Sequence, residues 1–83
     1  MNEMYEIIGL RPSVFKAQDG TEISGVNLYV TYNIGKTGEG VAADRIYITT
    51  EKLARTGYSP KVGDIVNVSY NRWGKVEAVY LAD

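Results

Sequence analysis

Apolar and polar residues alternate with a period of two along most of the chain, and turn-forming residues interrupt the alternation at short intervals. Period two is the mark of strands with one buried face. Met4 to Lys16 reads as a first strand, with Ile7, Ile8, Leu10 and Val14 spread over both faces; Pro12, which donates no hydrogen bond, should bend it or mark an edge position. Gln18-Asp19-Gly20-Thr21 is a hairpin turn, with Gly20 at the position that needs positive φ. Glu22 to Ile34 forms a second strand, Gly35 to Gly40 a polar loop with three glycines, and Arg45 to Thr50 a third strand. The period then changes. Thr50 to Gly57 predicts a short helix, with Thr50 as N-cap, Glu51 at the positive end of the helix dipole, Arg55 at the negative end and Gly57 as C-cap. Asp64 to Tyr70 and Lys75 to Leu81 are the fourth and fifth strands, joined by the tip Asn71 to Gly74.

Five short strands with a helix between the third and fourth is the element order of an OB-like Greek-key barrel, and all-β is the class expected for residues 1–83 as a single domain. Closing a barrel would also remove the exposed sheet edges that so β-rich a chain must manage. An SH3-like barrel is the alternative architecture.

The alternation assigns faces. In the second strand Leu28, Val30, Tyr32 and Ile34 form the core row, which leaves Tyr29 pointing outward among small polar residues. In the third strand Ile46 and Ile48 point inward, and Arg45 and Tyr47 outward. Two readings fit the outward tyrosines: platforms on which nucleic-acid bases stack beside a cation, or a cross-strand aromatic pair that stabilises the sheet. In the last two strands Val66, Val68 and Tyr70, with Val76, Ala78 and Tyr80, form the inward set. Ile65, Val79 and Leu81 then form an outward apolar set, suited either to a homodimer contact or to burial of both faces near the strand ends by the barrel's curvature.

Trp73, the single tryptophan, stands at the tip between the last two strands, flanked by Arg72 and Lys75. A ring this large normally goes into a core. On a turn beside two cations it offers a flat face for a base and charge for phosphates; folded back, it would instead cover one end of a barrel.

Composition changes this picture little. Formal net charge is −1, but between Lys36 and Lys75 seven cations (Lys36, Arg45, Lys52, Arg55, Lys61, Arg72, Lys75) face four acids (Glu39, Asp44, Glu51, Asp64), a local excess of three. The chain has 0 histidines and 0 cysteines, hence no imidazole base, no thiolate nucleophile and no usual zinc ligand set. No two carboxylates form an acid–base pair, and Gly35-Lys36-Thr37 lacks the upstream glycine and following helix of a phosphate-binding loop. No enzyme, metal, cofactor or small-molecule substrate is expected. The acidic start shows no signal-peptide pattern, and no run is long enough for a membrane span, so a cytoplasmic location is expected.

The segment Tyr58-Ser-Pro-Lys-Val-Gly-Asp-Ile-Val-Asn-Val-Ser-Tyr70, followed by Arg72-Trp73-Gly74, resembles the small single-stranded-DNA-binding proteins of filamentous bacteriophages. Their pattern has a Tyr-x-Pro segment, an alternating strand, an aromatic-Gly tip and a final apolar strand. The segment Asn27 to Tyr32 is similar to their tyrosine-bearing DNA-binding hairpin, which makes Tyr29 the main carry-over and Tyr32 a lesser one. The resemblance implies an OB-like homodimer that coats single strands during replication of a phage or mobile element, with the Trp73 tip reaching toward DNA on a neighbouring dimer. The residues and the resemblance lead to one expectation: sequence-tolerant binding of single-stranded DNA, with RNA left open. Bases would stack on Tyr29, Tyr47 and Trp73, and phosphates would meet Arg45, Arg72, Lys75, Lys36 and Arg11. The alternative function is a small protein-interaction or structural barrel without nucleic acid.

Overall fold

The computed structural model describes residues 2–82, and the side chains of residues 4–82. It holds five strands and one helix: β1 (Asn2–Lys16), β2 (Glu22–Asn33), β3 (Val41–Thr49), α1 (Thr50–Thr56), β4 (Ile65–Tyr70) and β5 (Val76–Leu81). The strands form one antiparallel sheet in the order β3-β2-β1-β4-β5. The long first strand changes neighbours along its length, carrying β4 on residues 2–6 and β2 on residues 6–16. An irregularity between Ile7 and Gly9 marks the change. Ile8 is the extra residue of this bulge, so Tyr5, Ile7 and Leu10 all keep to one side of the sheet across it. Pro12 lies where β1 has β2 alone as neighbour, the edge position its missing donor requires.

One core joins all six elements: Tyr5 and Ile7, Leu28 and Val30, Ile46 and Ile48, Leu53 of α1, Val66 and Val68, and Val79. Each fully buried Val, Leu or Ile contributes about 1.5–3 kcal/mol by leaving water. Leu53 is the only buried residue of α1, so it anchors the helix. The cap stands one residue earlier than the sequence pattern suggests: Thr49, not Thr50, is the N-cap, its hydroxyl accepting from Lys52 N at 3.2 Å. Gly57 ends the helix in the left-handed region at φ 69.

Several faces differ from the alternation. An irregularity between Ser69 and Tyr70 shifts the β4–β5 register, so Tyr70 pairs with Val76 but Ser69 with Ala78. Val79 therefore lies opposite Val68 and is wholly buried, while Tyr80 pairs with Asn67 on the other face. Leu81, opposite Val66, shares Val79's side yet is exposed at the sheet margin, and Ile65 points the other way. Ile65, Val79 and Leu81 thus share no outward patch, and the homodimer contact expected of them is not assembled. Tyr32 and Ile34, expected in the core row, are 38% and 40% exposed, because the core ends at Val30. Tyr32 instead sets its ring at 85° to that of Tyr5, 5.2 Å away. The third strand begins at Val41 rather than Arg45, since the Ala42-Ala43-Asp44 stretch pairs fully with β2.

β3 and β5 end the strand order and approach each other across α1 with no ladder between them. The helix covers the margin of β5 instead. Lys52 Nζ donates to the Val76 carbonyl at 2.8 Å, and the Thr56 hydroxyl shares its proton between the Leu53 carbonyl (3.0 Å) and the Val79 carbonyl (3.2 Å). Two carbonyls of an edge strand thereby gain donors without a further strand.

Candidate nucleic-acid interface

The register collects the predicted residues into two groups. On the outer face Tyr29 pairs with Arg45 on one side and Gly9 on the other, and the next rung joins Tyr47, Asn27 and Arg11. Tyr29, Tyr47, Arg45 and Arg11 therefore share one face, as alternation predicts for the first three. Neither tyrosine stands free. The Tyr29 ring lies beside Gly9, its Cδ2 3.4 Å from where a Cβ would stand. Tyr47 leans across to Gly25, where a Cβ would overlap its hydroxyl, and Gly25 is buried beneath it. Both tyrosines stay partly exposed on this face, and ring surface left to solvent is what a stacked base needs.

Two members of this face were not singled out from sequence. Phe15 faces the same side, its ring 6.1 Å from Tyr47, so three aromatics line it. The bulge at Ile8 reverses the parity of β1, so alternation alone does not give the face of Phe15. Asn27 lies between Tyr47 and Arg11. The Tyr47 hydroxyl is buried and has no hydrogen-bond partner among the described residues.

The second group is the β4–β5 tip. Asn71 Oδ1 accepts from the backbone N–H of Trp73 (2.9 Å) and of Lys75 (3.0 Å), and Gly74 takes φ 77. These bonds fix the turn and hold Trp73 outward, 73% exposed, so it covers no end of the core. The Arg72 guanidinium lies 5.0 Å from the ring centroid, a cation–π contact that leaves the opposite ring face open.

A cleft of about 420 Å³ between β3 and β5 joins the groups: Arg45 and Tyr47 stand on one wall, Gly74 and Lys75 on the other. Lys36 belongs to neither group; it sits in the exposed loop beyond the last rung, Asn33–Val41. Among the described residues the ion pairs are those of Arg55 with Glu51 and Glu77, so Arg11, Arg45, Arg72 and Lys75 keep charges that no carboxylate matches at ion-pair distance.

Away from the face, Tyr58 donates to Asp64 Oδ2 at 2.6 Å. Burial, then this bond, pushes the Tyr58 phenol up to about 12. That pair pins the segment between α1 and β4 and has no part in the face. No helix among the described residues is long and apolar enough to cross a membrane. Comparison of the chain with protein-family models, with curated proteins and with solved structures gives no match.

Proposed function

We propose that the protein binds single-stranded DNA with little regard to base sequence, as a coat or carrier of the strand in the replication of a phage or mobile element. The observation that carries this reading is the outer face itself: Tyr29 and Tyr47 laid against glycines on the same side as Arg11 and Arg45. Flat rings beside unmatched cations offer what any base and any phosphate can use. The strand order with α1 between β3 and β4 supports an OB-like, partly open barrel, whose β2–β3 face and β4–β5 loop are where such folds take oligonucleotides. The resemblance of Tyr58–Tyr70 and Trp73-Gly74 to the filamentous-phage proteins supports the same assignment. A pair of chains is the assembly that resemblance implies.

The test uses the exposed indole as its own probe. Titration with oligo-dT is expected to quench Trp73 fluorescence at low salt and to do so less at high salt, because bound phosphates displace counterions. Parallel titration with oligo-U separates DNA from RNA. Trp73→Ala is expected to weaken binding by about 1–3 kcal/mol for every base sequence alike, the worth of one stacked base. Absence of any oligo-dT binding at low salt would overturn the proposal in favour of a protein-interaction barrel.

A further inference from the structure

The geometry points to the cleft between β3 and β5 as a phosphate subsite centred on Lys52, a residue that belongs to neither the tyrosine face nor the tip. This inference rests on the single-strand reading above and adds where the strand crosses from the face to the tip. The cleft is a built feature. The margins of β3 and β5 approach each other with no ladder between them, and α1 lies across them with Lys52 on the Val76 carbonyl of β5. The bond from Lys52 Nζ to the Val76 carbonyl fixes a half-buried ammonium in the cleft wall. An ammonium has three donors, and one is used there, so two stay available to a ligand.

The chemistry around it selects an anion. Arg45 and Lys75 line the same cleft, and no ion pair occupies them or Lys52 among the described residues. Asp44 is the one acid in the lining, and its Oδ1 already accepts from Arg45 N at 2.7 Å. Tyr47 and Tyr70 supply ring surface to the walls, while the Tyr70 hydroxyl is engaged with Tyr5 at 2.9 Å. A volume of about 420 Å³ falls in the range of small-ligand sites and suits one nucleotide of a strand passing through. A backbone phosphate at Lys52 would put the bases on one side of it toward Tyr47 and those on the other side toward Trp73.

Two measurements on the intact protein test this. The first is lysine acetylation of the wild type with and without oligo-dT, read by mass spectrometry. Lys52 is expected to be protected by the oligonucleotide, and Lys61, in the segment before β4, to react alike in both samples. The second is Lys52→Gln, which removes the charge and keeps an N–H donor. Losing one phosphate contact from a single strand should reduce the slope of log affinity against log salt by about 0.7, which is about fivefold weaker binding at 0.1 M salt. Trp73 quenching at saturation should persist in this variant. Wild-type binding with no protection of Lys52, or with an unchanged slope in Lys52→Gln, overturns the subsite and leaves the single-strand reading standing. Failure of the wild type to bind oligo-dT overturns both. Protection of Lys52 by poly-glutamate but not by oligo-dT overturns it in favour of an acidic peptide. Should Lys52→Gln fail to fold, the wild-type acetylation pattern decides alone.

Discussion

At the scale of single residues, Tyr47 is the most informative side chain. Its ring covers Gly25 and neighbours Phe15, yet its hydroxyl is buried without a partner among the described residues. A desolvated, unmet polar group costs about 1–3 kcal/mol. Tyr47→Phe removes that cost and keeps the ring, so the variant should be more stable, by about 1–3 kcal/mol. Its oligo-dT affinity should match the wild type, since stacking uses the π face. Thermal denaturation and the fluorescence titration read the two outcomes; a fall in stability would mean that the hydroxyl has a partner in solution. The outward placement of Tyr29, Tyr47 and Arg45 was legible from alternation alone, because β2 and β3 pair without irregularity from Gly25 to Asn33. Phe15 and Val79 were not. Each lies on a strand with a bulge, and one extra residue exchanges the two faces beyond it.

At the scale of elements, the helix and the segment after it show how local chemistry sets positions that alternation cannot. Helix type, C-cap and approximate length followed from Thr50 to Gly57, whereas the cap fell on Thr49, since two adjacent threonines offer the same hydroxyl. That α1 would supply donors to β5 had no sequence signal, because Lys52 and Val76 meet only through the tertiary fold. The following segment is fastened by Tyr58 to Asp64, and burial of the phenol together with this bond gives it a pH signature. The Tyr58 phenol, ordinarily near 10.0, is raised to about 12 in the folded protein. A group raised on folding contributes stability that is complete below its unfolded value and fades as pH climbs to the folded one. Wild-type stability should therefore decline between about pH 10 and 12 more steeply than that of Tyr58→Phe. At neutral pH the variant should be less stable by about 1 kcal/mol, a charge-assisted bond weakened by partial exposure. Denaturant unfolding across that range checks both; parallel pH profiles would show that the bond contributes nothing.

At the scale of the whole molecule, the tyrosine face and the Trp73 tip belong to different parts of the sheet, and only a ligand that spans the β3–β5 cleft can engage both. The molecule measures 46 × 23 × 23 Å, drawn out along its longest axis. Affinity should therefore depend on strand length in a way that a single patch would not produce. A dinucleotide, below the roughly 4 nucleotides of the smallest site for a fold of this kind, can occupy one group at a time, whereas a strand of about 12 can reach both. With the long strand, Tyr29→Ala and Trp73→Ala should each weaken binding by about 1–3 kcal/mol, and the double variant by close to the sum, because the rings act through separate bases. With the short strand, either single variant should lose less, since the strand can shift to the intact group, and the double variant should lose more than the sum of the two. Trp73→Ala should leave thermal stability within about 0.5 kcal/mol of the wild type, as expected of an exposed side chain, which keeps the comparison one of binding. Titrations at one salt concentration with both lengths provide the measurement. Equal losses with short and long strands would place the face and the tip in one local contact and would remove the need for a strand to cross the cleft.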